Sequence, residues 1–328
     1  MQTISGLVSI VIVNRNGGTY LPSCLNALAE QSCRRLEVIL VDNASQDNSF
    51  QVISDFRKKH PEVALRVIKN SENVGFCRGN NQAMAVSSGE FILALNADVT
   101  LEAEFVAVLV GCMNSLPSCG LATGKLLSAD NPKTLDSAGI KLYKTRRTVD
   151  RGQQEEDCGQ YGKREDVFGG SGAACLYRRR MLEEIKYGDH EYFDELFFAY
   201  KEDTDLAWRA RLRGWRCVYD PDARGRHFRN WGRGKRTQIP RWIRCHSLKN
   251  RYLILLKNER LESLRCGFFH LLGYEVLSIL YLLFREPYLW KAFWMLFQSL
   301  PEGIRKRRLT QADVQSSVCR EYVVPWLR

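Results

Sequence analysis

Residues 8–17 read VSIVIVNRNG and residues 89–99 read GEFILALNADV. Each is an aliphatic run that ends on a polar cluster. A strand with one wet face alternates polar and apolar residues, whereas an unbroken run belongs to a sheet buried on both faces. Between and beyond these runs the same grammar repeats. Leu36 to Val41 and Leu65 to Ile68 are further strands, and Leu21 to Leu28, Phe50 to Phe56, Asn81 to Val86 and about Leu101 to Met113 have helical spacing. Repeated βα units predict an α/β fold with a mostly parallel central sheet and helices on both faces. Ligands of such sheets bind beyond the C-terminal strand ends. That rule selects Asn14-Arg15-Asn16, Asp42-Asn43 and Asn96-Ala97-Asp98. The stretch from about Gly120 to Gly172 reads as hairpins and loops, a helix opens around Glu202, and long aromatic-rich helices follow Trp242.

The chain has 328 residues, 45% hydrophobic and 26% charged, enough for one large core with an appendage. No apolar run of about 18 residues is free of polar interruption, so no transmembrane helix is expected. Met1 to Val13 lacks a basic leader pattern, and no secretory signal is expected. Eleven cysteines without a C-x-x-C pair argue for buried thiols in a reducing compartment rather than a zinc or redox framework. The net charge of +11 is uneven. Eight cations and no acid fall between Arg224 and Arg244, and Arg305-Lys306-Arg307-Arg308 forms a second cluster. Such a field suits lipid head groups, a diphosphate or nucleic acid; a plain solvated surface is the alternative.

The polar clusters carry the candidate chemistry. Asp42 can accept from the imide N–H of uracil or thymine, or can simply form an Asx turn. Asp98 can hold Mg²⁺ or Mn²⁺ against a diphosphate, or cap the next helix. Asn73-Val74-Gly75-Phe76 makes a turn that aims Arg78 at a base or phosphate, or leaves it solvated. Glu202 and Asp203 open a helix, where the dipole favours acids, and Asp203 could serve there as a general base. His227 is a usable Mn²⁺ ligand beside a carboxylate, although a lone histidine is more often structural.

Read in order, VSIVIVNRNG, VILVDNASQDNS (38–49), NSENVGFCRGNNQA (70–83), GEFILALNADV, FFAYKEDTDLAWRARLRGW (197–215) and then His227 resemble the family-2 glycosyltransferases, above all their bacterial rhamnosyltransferase-like branch. The resemblance runs from about Val8 to Lys257. It implies the GT-A fold, Rossmann-like, over residues 1–240, with a nucleotide-binding half to about 115 and an acceptor half from 116, and a C-terminal helical extension over 241–328. It implies that Asp42 reads the nucleobase and that Asn14, Asn73, Arg78 and Asn96 line the nucleotide-sugar. Asp98 and His227 would be the metal ligands, for Mg²⁺ or Mn²⁺, with Asn96 standing where the family has the first acid of its D-x-D site. Asp203 would be the catalytic base, and Gly169-Gly170-Ser171-Gly172 a loop near donor and acceptor. Asn230-Trp231-Gly232-Arg233 replaces the family's small polar motif, a departure at the acceptor contacts. The implied activity is inverting, metal-dependent sugar transfer to a glycan or lipid-linked saccharide in cell-surface polysaccharide synthesis. The donor would be dTDP-rhamnose, or a UDP-sugar.

Cys266 to Phe284 reads CGFFHLLGYEVLSILYLLF, interrupted by His270 and Glu275, and a second patch carries Trp290, Phe293 and Trp294 before the Arg305–Arg308 cluster. Aromatic-rich helices beside basic residues fit an anionic membrane interface; packing on the catalytic part or in a homodimer is the alternative. The expected setting is cytoplasmic and peripheral, at the inner face of the cell membrane. A dehydrogenase would carry G-x-G-x-x-G where Asn14-Arg15-Asn16-Gly17-Gly18 stands. A basic nucleotide- or lipid-binding protein without transferase activity explains the charge but not the ordered acids. Nucleic acid is not an expected partner.

Overall fold

The computed structural model describes residues 3–229, 236–312 and 314–327. Its first half runs β1 (Ile4–Asn14), α1 (Leu21–Ala29), β2 (Leu36–Asn43), α2 (Ser49–Lys59), β3 (Leu65–Asn70), α3 (Phe76–Ala85), β4 (Gly89–Asn96), β5 (Val99–Leu101) and α4 (Phe105–Ser115). The second half adds β6 (Cys119–Ser128), β7 (Leu135–Ser137), β8 (Ile140–Leu142), β9 (Thr148–Asp150), β10 (Glu165–Val167), β11 (Ala174–Arg178), α5 (Arg179–Ile185), α6 (Glu202–Leu212) and β12 (Arg216–His227). Last come α7 (Arg241–Asn258), α8 (Leu261–Arg265), α9 (Phe268–Arg285), α10 (Trp290–Gln311) and α11 (Ser316–Tyr322).

One sheet runs through both halves, in the order β10-β12-β6-β11-β4-β1-β2-β3. The β3-β2-β1-β4 block is parallel, as the apolar runs require, and β6 and β12 are also parallel. β11 runs antiparallel between β4 and β6 and joins the two blocks. Side chains of β1 alternate between two cores. Val8, Ile10 and Ile12 face α1, α2 and α4, while Val11 faces the core that holds Trp208 and Leu253. Fully burying an aliphatic side chain is worth about 1.5–3 kcal/mol, so a one-residue slip of β1 would forfeit several such terms.

The structure corrects several expectations. Residues 120–172 are not only loops, since β6 is a buried core strand. Its Gly124 disguises it: a Cβ there would lie 2.2 Å from the Ala223 carbonyl oxygen of β12. The helix expected from Leu101 begins at Phe105, because residues 99–101 form β5 against β12. Of the first basic cluster, Arg224 and Arg226 point outward from β12, Arg229 pairs with Asp136 and Asp150, and Arg236 and Arg244 both pair with Glu286. Arg233, Lys235 and the Asn230-Trp231-Gly232-Arg233 motif lie outside the described residues. In the second cluster Lys306 is buried against Glu191 and Asp194, Arg305 pairs with Glu302, and Arg307 donates to the carbonyls of Leu256 and Glu259. Apart from Glu302, three residues before Arg305, the acids come from distant sequence, which is why a linear count missed them. α9, finally, is long and apolar enough to cross a membrane by length and composition, at 18 residues and a mean hydropathy of 1.4.

The C-terminal helices are tied to the sheet domain by buried charge. Lys257 of α7 reaches Asp194 and Asp205, Lys306 of α10 reaches Asp194 at 2.7 Å, and Arg209 reaches Asp205 at 2.9 Å. Asn258 also donates to Asp205, at 2.8 Å. Removing one cation from such a group leaves a desolvated carboxylate. Lys257→Met is therefore expected to lower unfolding free energy by about 3–5 kcal/mol. Urea denaturation at neutral pH measures it, and a loss under about 1 kcal/mol would mean that water reaches these carboxylates.

Candidate active site

The register of the parallel block pairs Asn14 with Asp42 and Val13 with Asn96, so the polar ends of β1, β2 and β4 stop level. Beyond them opens a cleft of about 680 Å³. It takes in the expected Asn14, Asn73, Asn96, Asp98, Asp203 and His227.

The pairing of Val99 on β5 with His227 on β12 makes the first corner. It sets His227 Nε2 3.3 Å from Asp98 Oδ1, while Nδ1 lies 2.7 Å from Asp136 Oδ2. Burial works against the imidazolium, but the hydrogen bonds and charges of Asp136 and Asp98 outweigh it and hold the His227 pKa up at about 9. Arg229 continues the chain, bonding Asp136 at 2.7 Å and Asp150 at 2.9 Å. A histidine whose Nδ1 meets a carboxylate presents Nε2 in a fixed direction, the usual support of a metal-ligating imidazole. Asp98 Oδ1 is buried, and the His227 Nε2 contact is its one partner, too bent to make a good hydrogen bond. A divalent cation that displaced the Nε2 proton would find a hard carboxylate oxygen and a braced imidazole nitrogen side by side. Among the described residues no cluster of three His, Cys, Asp or Glu side chains surrounds it. A cation here would take two protein ligands and fill the rest from water and phosphate oxygens, as Mg²⁺ commonly does.

The second corner is the start of α6. Asp203 Oδ2 accepts from the Gly172 N–H at 3.0 Å and Oδ1 from the Thr204 N–H at 2.6 Å, so the Gly169–Gly172 loop orients the carboxylate. Burial, then the charge of Asp150, raise the Asp203 pKa above the usual carboxylate range against those two donors. Glu202 is buried, and its Oε2 has no partner. Burial and then Asp203 push its pKa up to about 8. The chain enters this corner through left-handed backbone at Phe198 (φ 64), Tyr200 (φ 72) and Lys201 (φ 69), which costs roughly 1–3 kcal/mol per residue.

On the nucleotide side the picture differs in two places from the sequence reading. Asp42 is fully buried and does not line the cleft. Its Oδ1 accepts from Asn14 Nδ2 at 3.0 Å and its Oδ2 from the Ser45 N–H at 3.0 Å. It braces Asn14, and its burial keeps it from the cleft. Arg78 is exposed on α3, lies 4.0 Å from Glu195, and does not line the cleft. Asn73 and Asn43 clamp Gly75 instead, at 3.1 and 3.0 Å. Gly75 has φ 89, and a Cβ on it would lie 2.6 Å from the Phe198 ring. Asp136, Asp150, Arg229, Tyr200 and Trp242 were not legible as site residues. Asp136 sits on a three-residue strand, and Tyr200 and Trp242 meet only through the fold, with ring centroids 6.2 Å apart.

Residues 9–186 match glycosyl transferase family 2. The chain belongs to this family. This glycosyl transferase family 2 chain is 25% identical over 258 residues to the N-acetylglucosaminyl-diphospho-decaprenol L-rhamnosyltransferase of Mycobacterium tuberculosis, covering 71% of this chain and 79% of that one. It spans only 35–55% of the length of several other curated relatives. Among solved structures, S. aureus TarS 1-349 in complex with UDP-GlcNAc superposes with TM-score 0.60 at 17% identity, over 96% of this chain and 83% of that one. The mannosyltransferase PcManGT from Pyrobaculum calidifontis, in complex with GDP-Man and Mn²⁺, gives 0.56 at 17%, over 97% and 83%. At these identities the structures establish the GT-A fold.

The Glu202 environment has a consequence for stability. A carboxyl with a raised folded-state pKa holds a proton that the unfolded chain releases above about pH 4.5. Its contribution is full below that pH and is lost as pH rises toward 8. Glu202→Gln is therefore expected to match the wild type near pH 4.5 and to gain on it at pH 8.5 by up to about 4 kcal/mol. Urea midpoints across that range read the difference. Parallel curves would mean an ionised Glu202 in a wet cleft.

Proposed function

We propose that the chain is an inverting, divalent-cation-dependent glycosyltransferase. It moves a sugar from a nucleoside-diphosphate donor to a hydroxyl of a glycan or lipid-linked saccharide, in cell-surface polysaccharide synthesis. The observation that carries the reading is one cleft with two dissimilar acidic corners: Asp98 with His227, and Asp203 on its glycine loop. The relatives' names favour this class; the rhamnosyltransferase among them supports L-rhamnose as the sugar, carried as dTDP-rhamnose, and the poly-N-acetylglucosamine synthases and the UDP-GlcNAc complex of TarS support a UDP-sugar.

Asp98 and His227 would hold Mg²⁺ or Mn²⁺, which supplies neutralising charge for the departing diphosphate. Asn14 and Asn73 hold the nucleotide end and fix its direction. Asp203 takes the proton from the acceptor hydroxyl as that oxygen attacks the anomeric carbon, and its raised pKa makes it a better base than a solvated aspartate. One displacement inverts the centre. A hydrolase would need an acid to protonate the leaving oxygen, whereas a neutralised diphosphate needs none. Tyr200 and Trp242 offer flat ring faces for the acceptor sugar beside the base.

Asp203→Asn is expected to bind nucleoside diphosphate normally and to transfer at least about 10²-fold more slowly. Asp98→Ala should abolish Mn²⁺-dependent nucleotide binding by calorimetry. Full transfer by the first variant, or full wild-type activity in excess chelator, would overturn these roles.

The setting we propose is peripheral, at the cytoplasmic face of the cell membrane. Only 6% of the α9 residues are buried, and Phe269, Leu277 and Phe284 are 82%, 67% and 81% exposed. Trp294 and Phe297 of α10 extend the face. The polar break Glu275 is turned inward, onto Tyr252 at 2.6 Å and Arg251 at 2.5 Å. A helix with such a face lies among acyl chains at the interface. Because several of the basic residues, Arg229, Arg236, Arg244 and Lys306 among them, are paired internally, the apolar face carries most of the attraction and binding should survive moderate salt. Flotation with liposomes should carry the wild type and not Leu277→Asp/Phe284→Asp. Equal behaviour of the two would assign the face to a protein partner.

A further inference from the structure

We propose that Asn250, outside the cleft, is a positioning residue for Asp203. The inference rests on the base assignment above. The peptide before α6 folds against its own preference. Phe198 has φ 64 and ψ −59, and the Ala199 N–H closes a tight turn onto the Phe197 carbonyl at 2.7 Å. That turn is rare for a side-chain-bearing residue, and left-handed Tyr200 and Lys201 follow it directly. A chain with this bias relaxes unless its surroundings over-determine it.

Asn250 does so. It is fully buried, and its amide nitrogen lies 3.1 Å from the Phe197 carbonyl oxygen, 2.9 Å from that of Ala199 and 2.8 Å from that of Tyr200. Its two hydrogens serve three acceptors, all turned toward α7 by the kinked backbone. Relaxing Phe198 or Tyr200 to ordinary φ would swing those carbonyls away. One turn earlier, His246 stacks 5.4 Å from the Phe198 ring, and Lys249 donates to the Leu196 carbonyl. The spacing 246, 249, 250 is one face of α7. Asp203 lies three residues beyond Tyr200, so a change in the direction of residues 198–201 moves its carboxylate off the Gly172 N–H.

The experiment compares the full-length wild type with Asn250→Leu and Asn250→Ser. Hydrogen exchange should accelerate at the amides of residues 197–204 in both variants while β1 to β4 stay protected. Binding of UDP and dTDP with Mn²⁺ should stay near the wild-type value. In transfer assays donor KM should change little and kcat should fall by about 10²-fold for leucine, the scale of a misplaced reacting group, and by less for serine, which keeps one donor. Unchanged exchange at 197–204, unchanged kcat, or nucleotide binding that falls in step with kcat would each overturn the proposal. If the leucine variant does not fold, the serine variant carries the comparison. A wild type that transfers no sugar would fail the functional reading alone, and the exchange measurement would still decide whether Asn250 holds the segment.

Discussion

Two lysines without access to water, Lys257 and Lys306, face two aspartates without access to water, Asp194 and Asp205. Stripping four charges of solvent is expensive, and their mutual attraction returns little net stability over an apolar core of the same shape. What such a group enforces is position. Both lysines come from the C-terminal helices, and both aspartates flank the segment that delivers Asp203. The helices after residue 240 are therefore part of the frame around the cleft. The strained backbone at residues 198–201 is tolerable because it is pinned at both ends by these charges and in the middle by Asn250.

The cleft's two corners are tuned in opposite senses by the same burial. At the first, desolvation raises the Asp136 carboxyl, but the hydrogen bond and charge of His227 and the charge of Arg229 more than cancel it and keep it ionised. At the second, Glu202 and Asp203 are neighbours in sequence, and burial outweighs the backbone donors and the charge of Lys201. A pair of acidic sites driven apart in this way separates roles: at one corner Asp136 stays ionised and holds His227 in place, and at the other the carboxylates keep a stronger affinity for a proton.

Much of this was legible in the sequence. The buried strands β1, β2 and β4 announced themselves by unbroken aliphatic runs, and the rule about strand ends then selected Asn14, Asn96 and Asp98 before any coordinates. β6 and β12 were illegible because glycine, lysine and arginine interrupt them. Gly124 is there for the close approach of Ala223, and Arg224 and Arg226 occupy the outward positions of an alternating strand. Asp42 was selected by the same rule as Asp98, yet Asn14 and Ser45 consume its oxygens; strand-end position locates a carboxylate without saying which way it turns. The basic clusters misled for a similar reason. Charge counted along the chain cannot see Glu286, Asp136 or Asp194 arriving from elsewhere.

The polar interruptions of α9 mislead in the other direction. Glu275 divides an apolar run in sequence, which argues against burial in lipid. In the fold it is the residue that binds α9 to Arg251 and Tyr252 of α7, leaving the opposite face apolar. α7 thus carries Asn250, which grips the entrance to α6, next in sequence to the two residues that hold α9. A helix is stiff over one turn, so the direction of the apolar face and the direction of the Asp203 carboxylate are set by adjacent residues of one rigid element. Trp242 at the start of the same helix lines the cleft. Any surface that receives α9 is therefore received in a fixed relation to the cleft.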